Sequence, residues 1–352
     1  MKIMFVDAKS DAPYDGDHLL LKGVSGTEAT LVQEAEGCAT HHDVVVAQRG
    51  RQVSTPVRGV RYAPLSEEAF GANPPDRIVI LRKHKLTAVY RRRYSRARIY
   101  SWIHNWQRPE VLLQRALLAR ADATVIAVSD ALRASTDRQI NSLGARAISL
   151  LAGVPAPVPV RRIYNHIADE LQPDHAPVNL DQMISLAPAY KGLQQVLTNF
   201  IAVRQRQPAM ELLVAGADAQ DLRHYSAAWA PLLEQPSIHF LGRLPQNEML
   251  NYVRRSLCVF YPQSLYPKTF GLIFAEANAV GTPVLAHDFG SAREVLGGDD
   301  QLVDATDPEA VASRIAAWRE SGRPQVAARS EFRRQTVLRE WLRLFDQPRL
   351  QT

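Results

Sequence analysis

The strongest constraint on this chain is an alternation of short apolar, β-branched runs with helical stretches, and the alternation occurs twice in series. In the first series MKIMFVDA (1–8), DVVVAQ (43–48), RIVIL (77–81), ARIYSWIH (97–104) and ATVIAVS (123–129) read as strands. Between them, GTEATLVQEAEG (26–37) reads as a helix stopped by Gly37, and PEVLLQRALLARAD (109–122) as a helix with proline near its start. ARAISLLA (145–152) and VRRIYN (160–165) are two further short apolar runs. Residues 153–180 then turn polar and proline-rich, as a linker does. A second series follows. QMISLAP (182–188), ELLVAG (211–216), SIHFLG (237–242), LCVFYPQ (257–263) and TPVLAHD (282–288) read as strands. KGLQQVLTNFIAVRQRQP (191–208), PQNEMLNYVRRS (245–256), FGLIFAEANAVG (270–281) and DPEAVASRIAAWRESG (307–322) read as helices, and SEFRRQTVLREWLRLF (330–345) closes the chain.

A βαβα order makes the strands parallel and puts helices on both faces of each sheet. With 352 residues the chain is too long for one ordinary core. The expected fold is therefore α/β, with two Rossmann-like halves, residues 1–160 and 161–329, and a closing helical segment, 330–352. Ligands of such sheets lie outside the carboxyl ends of the strands, so a cleft between the halves is the expected site.

Composition narrows the function classes. At 46% apolar and 22% charged residues the chain has an ordinary globular composition. No run approaches the roughly 18 apolar residues that cross a bilayer, and MKIMFVDAK reads as a buried strand rather than as the apolar core of a signal peptide. Cys38 and Cys258 sit far apart in apolar surroundings, which suggests reduced core thiols and a cytoplasmic location. Residues 1–160 hold 22 Lys and Arg against 15 Asp and Glu, a net +7 in a chain whose total is +6. The excess concentrates in RKHKLTAVYRRRYSRAR (82–98), a block suited to nucleic acid, an anionic membrane surface, an acidic substrate, or plain solvation. No zinc, helix-turn-helix or RNA-binding pattern accompanies it, which argues against nucleic acid.

Several positions carry chemistry, each with a plainer alternative. Gly23 and Gly26 precede a helix, where backbone N–H groups can approach a phosphate or sugar, or where glycine merely turns the chain. Lys191 stands at a helix start, where a cation opposes the dipole by about 0.3–1 kcal/mol unless an anion sits beside it. Gly271 and Leu272 open the helix that carries Glu276 among Phe274, Ala275, Ala277 and Ala279. A buried carboxylate needs a partner, and a ribose diol would serve, as would Arg243 or Arg293. His104 ends a strand on its carboxyl side, within reach of a ligand, or is a core histidine held by backbone. No metal-ligand spacing is present.

The stretch SLYPKTFGLIFAEANAVGTPVLAHDFGSAREVL resembles the signature of family 4 of the retaining glycosyltransferases, nucleotide-sugar enzymes of the GT-B fold. Phe270, Gly271, Leu272, Glu276, Ala277, Gly281, Pro283, Val284, Gly290, Glu294 and Val295 fit that pattern in order and spacing. GVSGTE, AVSDALR (127–133), IYNHI (163–167), KGL (191–193) and HFLGRLP (239–245) agree in order. The resemblance implies two Rossmann-like domains facing across a cleft, with the C-terminal helix returning to the N-terminal domain. It implies transfer of a hexose or uronic acid, with retention, from a UDP- or GDP-type donor to a glycan or lipid-linked acceptor, without a metal or other cofactor. Glu276 would hold the ribose, Gly271 and Leu272 the phosphates next to Phe270, and Lys191 the diphosphate charge. Leu244 would contact the base through its backbone, Gly26 would approach the donor, and His104 would lie beside the transferred sugar. On this reading the enzyme is cytoplasmic and peripheral on the inner membrane face through residues 82–98, each basic residue contributing about 1 kcal/mol near anionic lipid.

Two positions depart from the pattern. The acid eight residues before Glu276 is Lys268, and a basic residue expected ahead of Lys-Gly is Leu186. Lys268 could meet a carboxylate on the donor, take the phosphates in place of the missing arginine, be a tolerated change, or mark a binding protein that has lost transfer.

Overall fold

The computed structural model describes residues 1–21, 25–65, 73–107, 111–151, 153, 157–187, 190–217 and 230–347. They group into two units, Met1–His166 with Arg334–Thr352, and Ile167–Arg333.

The first unit is built on strands β1 (Lys2–Asp7), β2 (Asp43–Gln48), β3 (Thr55–Val57), β4 (Val60–Pro64), β5 (Arg77–Leu81), β6 (Arg98–Ile103), β7 (Ala123–Ala127) and β8 (Val160–Arg162). Helices α1 (Gly16–Leu21), α2 (Gly26–Ala39), α3 (Leu86–Arg93), α4 (Val111–Arg120), α5 (Asp130–Ile140) and α6 (Leu143–Leu151) connect them. The sheet order is β3-β4-β2-β1-β5-β6-β7-β8, parallel except for the β3–β4 hairpin. β1 is central, in register with β2 from Lys2 opposite Asp43 and with β5 from Ile3 opposite Arg77. Ile3, Met4, Phe5 and Val6 are all buried, as expected for a strand covered on both faces.

Unit two contains β9 (Gln182–Ser185), β10 (Glu211–Ala215), β11 (Ile238–Gly242), β12 (Val259–Tyr261), β13 (Val284–His287) and β14 (Leu302–Val303). Its helices are α7 (Leu193–Arg206), α8 (Ala230–Leu233), α9 (Gln246–Arg255), α10 (Leu272–Ala279), α11 (Ala292–Leu296) and α12 (Pro308–Ser321). The sheet runs β11-β10-β9-β12-β13-β14, every pair parallel. Strand order reverses between the neighbours β9 and β12, the crevice where open α/β sheets take their ligands.

A last helix, α13 (Arg334–Asp346), belongs to the first unit. Trp341 is buried edge-on against Trp102, centroids 5.0 Å apart, and Phe345 against Tyr100 at 5.8 Å. Such pairs add about 0.5–1.5 kcal/mol beyond their area. Arg77 fastens the end of this helix, donating from Nε and Nη2 to the Phe345 carbonyl at 2.9 and 2.6 Å.

The structure differs from the sequence reading, or completes it, in four places. α2 runs two residues past Gly37, which is a contact point and no stop: a Cβ there would lie 3.0 Å from Leu338 on α13. ARAISLLA falls in helix α6, with part of its length outside the described residues. The unit boundary comes after His166 and not after residue 160, because Val160–Arg162 is the last strand of the first sheet. Residues 330–333 stay with the second unit, where the Ile167 amide donates to the Phe332 carbonyl and the Phe332 ring packs edge-on against Phe270 at 5.1 Å.

Candidate functional site

At the switch point of the second unit, β9 leads toward Lys191 and β12 toward Lys268. Lys191 is exposed just ahead of α7. Lys268 lies in the loop before α10, its carbonyl accepting hydrogen bonds from the Ser291 amide and Oγ, both at 3.1 Å. Its ammonium rests over the Tyr261 ring, 4.4 Å from the centroid, with Phe274 at 6.0 Å. Among the described residues neither lysine has an ion pair or hydrogen bond through its ammonium; Lys191 has only the Tyr190 ring, at 5.3 Å. Burial pushes the pKa of Lys268 down to about 7, and the nearby Lys191 charge acts in the same direction.

α10 opens on Gly271, whose φ of 85° lies in the left-handed region that glycine adopts without strain. The Phe274 amide already donates to the Gly271 carbonyl at 2.9 Å, and the amides of Leu272 and Ile273, ahead of it, are the helix-start groups that suit an anion. One turn on, Glu276 is 8% exposed and accepts a 2.6 Å hydrogen bond from Nε2 of Gln246, at the start of α9. Arg293, one of the plainer partners considered for Glu276, pairs with Asp288 and Asp299. Leu244 is half-buried between β11 and α9. Phe270 is 1% exposed, and its ring packs edge-on against Phe332. The half-buried Leu186 follows β9.

The first unit has its own switch point, between β1 and β5. Asp7, fully buried at the end of β1, accepts from Tyr14 Oη at 2.8 Å and pairs with Arg82 Nη2 at 3.2 Å. Arg82 follows β5 with φ 59°, a left-handed conformation uncommon for a bulky side chain. His104 follows β6, is 6% exposed, and lies against Trp102 with centroids 4.6 Å apart. Burial first, and the Arg82 charge second, hold its pKa down at about 3, so the imidazole is neutral at physiological pH. Gly26 is exposed at the first position of α2, and Gly23 lies outside the described residues.

The chain is similar to known proteins over both units. Residues 183–335 match the family of glycosyl transferases, group 1. A phosphatidyl-myo-inositol mannosyltransferase of Mycobacterium tuberculosis is 32% identical over 129 residues, 36% of this chain and 32% of the relative. The chain thus spans about a third of the length of the curated relatives it matches. Among solved structures, a sucrose-phosphate synthase of Thermosynechococcus elongatus superposes with a TM-score of 0.67 at 16% identity, over 98% of both chains. An Anabaena protein in complex with UDP and glucose superposes with 0.65 at 17% identity, over 98% of this chain and 99% of the other. The fold is GT-B, with two parallel-sheet α/β domains.

Of the residues singled out in the sequence, Lys191, Lys268, Gly271, Leu272 and Glu276 share the second unit's switch point or the helix that leaves it. His104 and Gly26 stand in the first unit. Sequence reading missed Tyr261, the platform under Lys268; Gln246, the partner of Glu276; and the Asp7–Arg82 pair. The one available signal was an arginine directly after the RIVIL strand.

Proposed function

We propose that this protein is a glycosyltransferase that moves a hexose or uronic acid, with retention of configuration, from a nucleoside diphosphate sugar to a glycan or lipid-linked acceptor. The observation that carries the reading is the pairing, at one switch point, of a buried carboxylate, Glu276, with a helix start and two lysines that have no carboxylate partner among the described residues. A carboxylate suits a ribose diol and the positive end suits a diphosphate, as the group 1 match over the same residues also suggests. Lys191 and the first turn of α10 stabilise the charge that develops on the leaving diphosphate, so the transfer is metal-independent. Neutral His104 hydrogen-bonds a sugar hydroxyl.

The acceptor is lipid-linked on this reading, and the first unit meets an anionic membrane. Lys83, Lys85, Val89, Arg92, Arg93 and Arg96 are exposed on and around α3. Leu143 and Leu150 are exposed on α6, and α4 packs against both helices. Not all of the basic block serves this surface. Arg91 bonds the Ala121 and Ala97 carbonyls, Arg98 the Gln347 carbonyl, and Tyr90 is buried under Tyr94.

A screen of UDP- and GDP-sugars tests the function. At least one should raise the melting temperature and give up its sugar to an acceptor or to water. A second reading, a sugar-nucleotide-binding protein without transfer, is favoured by Lys268 where the family pattern has an acid. A thermal shift with no product from any donor would establish that reading and remove the first.

A further inference from the structure

We infer that Lys268 is a diphosphate-binding residue of the donor site, supplying the second positive charge, beside Lys191, that seats the diphosphate. The inference rests on the reading of the site as a nucleotide-sugar site and goes beyond it by giving Lys268 one task. The two lysines belong to segments in direct contact. A Cβ on Gly192 would lie 2.6 Å from Gln263 Oε1, and the same oxygen accepts the amides of Leu265 and Tyr266 at 3.0 and 2.9 Å. The loop after β12 is thereby folded against the start of α7, and the strands beneath, β9 and β12, are neighbours in the sheet.

Two ammonium groups in adjoining segments, neither with a carboxylate among the described residues, repel each other until an anion arrives. The Tyr261 ring, with its face under the ammonium, offsets part of that. A lysine needed only for packing would be better as methionine, which fills the same volume without desolvating a charge. Ser291 also anchors the Lys268 backbone through its carbonyl, so the stem of the side chain starts from a held position. A sugar carboxylate would need one cation; the second, Lys191, fits a group bearing two charges.

The test is titration calorimetry of the full chain with inorganic pyrophosphate and with UDP, on wild type, Lys268→Met, Lys191→Met and Glu276→Gln. Lys268→Met should weaken both ligands by at least about tenfold, the range of a lost charge-assisted hydrogen bond. Unliganded at pH 6 it should melt no lower than wild type, because a desolvated charge has been removed. Glu276→Gln should weaken UDP and leave pyrophosphate unchanged. Wild-type affinity for both ligands in Lys268→Met overturns the inference. So does a loss confined to UDP-glucuronic acid, titrated alongside them, which would assign Lys268 to a sugar carboxylate. If the wild type binds pyrophosphate through both lysines but not UDP, the lysine seat stands and the nucleotide-sugar reading fails; if it binds neither, both fail.

Discussion

Lys268 makes a pH prediction whose sign follows from its charge. Its folded pKa of about 7 lies below the ordinary lysine value of 10.5. A bound diphosphate favours the charged form, so donor affinity is full below about pH 7 and falls as pH rises above it. Calorimetry with a UDP-sugar, whose diphosphate does not titrate there, should show this fall in wild type and a flat profile in Lys268→Met. Stability without ligand moves the other way. Between about pH 7 and 10.5 the unfolded chain binds more protons than the folded one, so this residue's contribution rises with pH. Chemical denaturation at pH 7 and 9 should show that rise in wild type and its loss in the methionine variant. His104, with its pKa held near 3, should give no inflection in the transfer rate across pH 5–8, the window of an ordinary histidine. Glu276 was visible in the sequence because a charge in an apolar stretch calls for a partner, and Lys268 because it stands where the resembled pattern has an acid. What they touch was not visible: Gln246 stands 30 residues from Glu276 and reaches it only through the packing of α9 on α10.

At the scale of elements, most of both sheets could be read from runs such as DVVVAQ and RIVIL, because strands buried on both faces are continuously apolar. The β3–β4 hairpin escaped. Its strands are three and five residues long, and its turn is Arg58–Gly59, both at positive φ, in place of the usual Asn-Gly or Asp-Gly. Gly37 was misread because glycine ends many helices, whereas here it lets α13 approach α2. Gly37→Val should therefore destabilise the first unit by roughly 1–3 kcal/mol through overpacking, and Trp341→Ala by about 3–5 kcal/mol through the cavity it leaves. Urea unfolding followed by tryptophan fluorescence, with circular dichroism as a second probe, measures both. A neutral Gly37→Val would mean that the α2–α13 contact is loose.

For the whole molecule, the repeated alternation gave the two-unit plan, and the +7 charge of residues 1–160 marked the unit proposed to meet the membrane. Which basic residues face outward depended on tertiary contacts that no local pattern encodes, as the inward Arg91 shows. Lys85, Arg92, Arg93 and Arg96 changed together to serine should reduce co-sedimentation with phosphatidylserine vesicles, the difference shrinking as salt is raised. Unchanged binding would remove the membrane from the proposal. The central claim, that Glu276 grips a ribose at the switch point of the second unit, is tested most directly by titrating UDP and GDP, with their 2′-deoxy counterparts, into wild type and Glu276→Gln. The account predicts that the wild type binds one of the two ribonucleotides at least about tenfold better than its deoxy form, and that the variant loses this preference while keeping its fold. Equal affinity for ribo and deoxy forms in the wild type, or a preference that survives in Glu276→Gln, would contradict it.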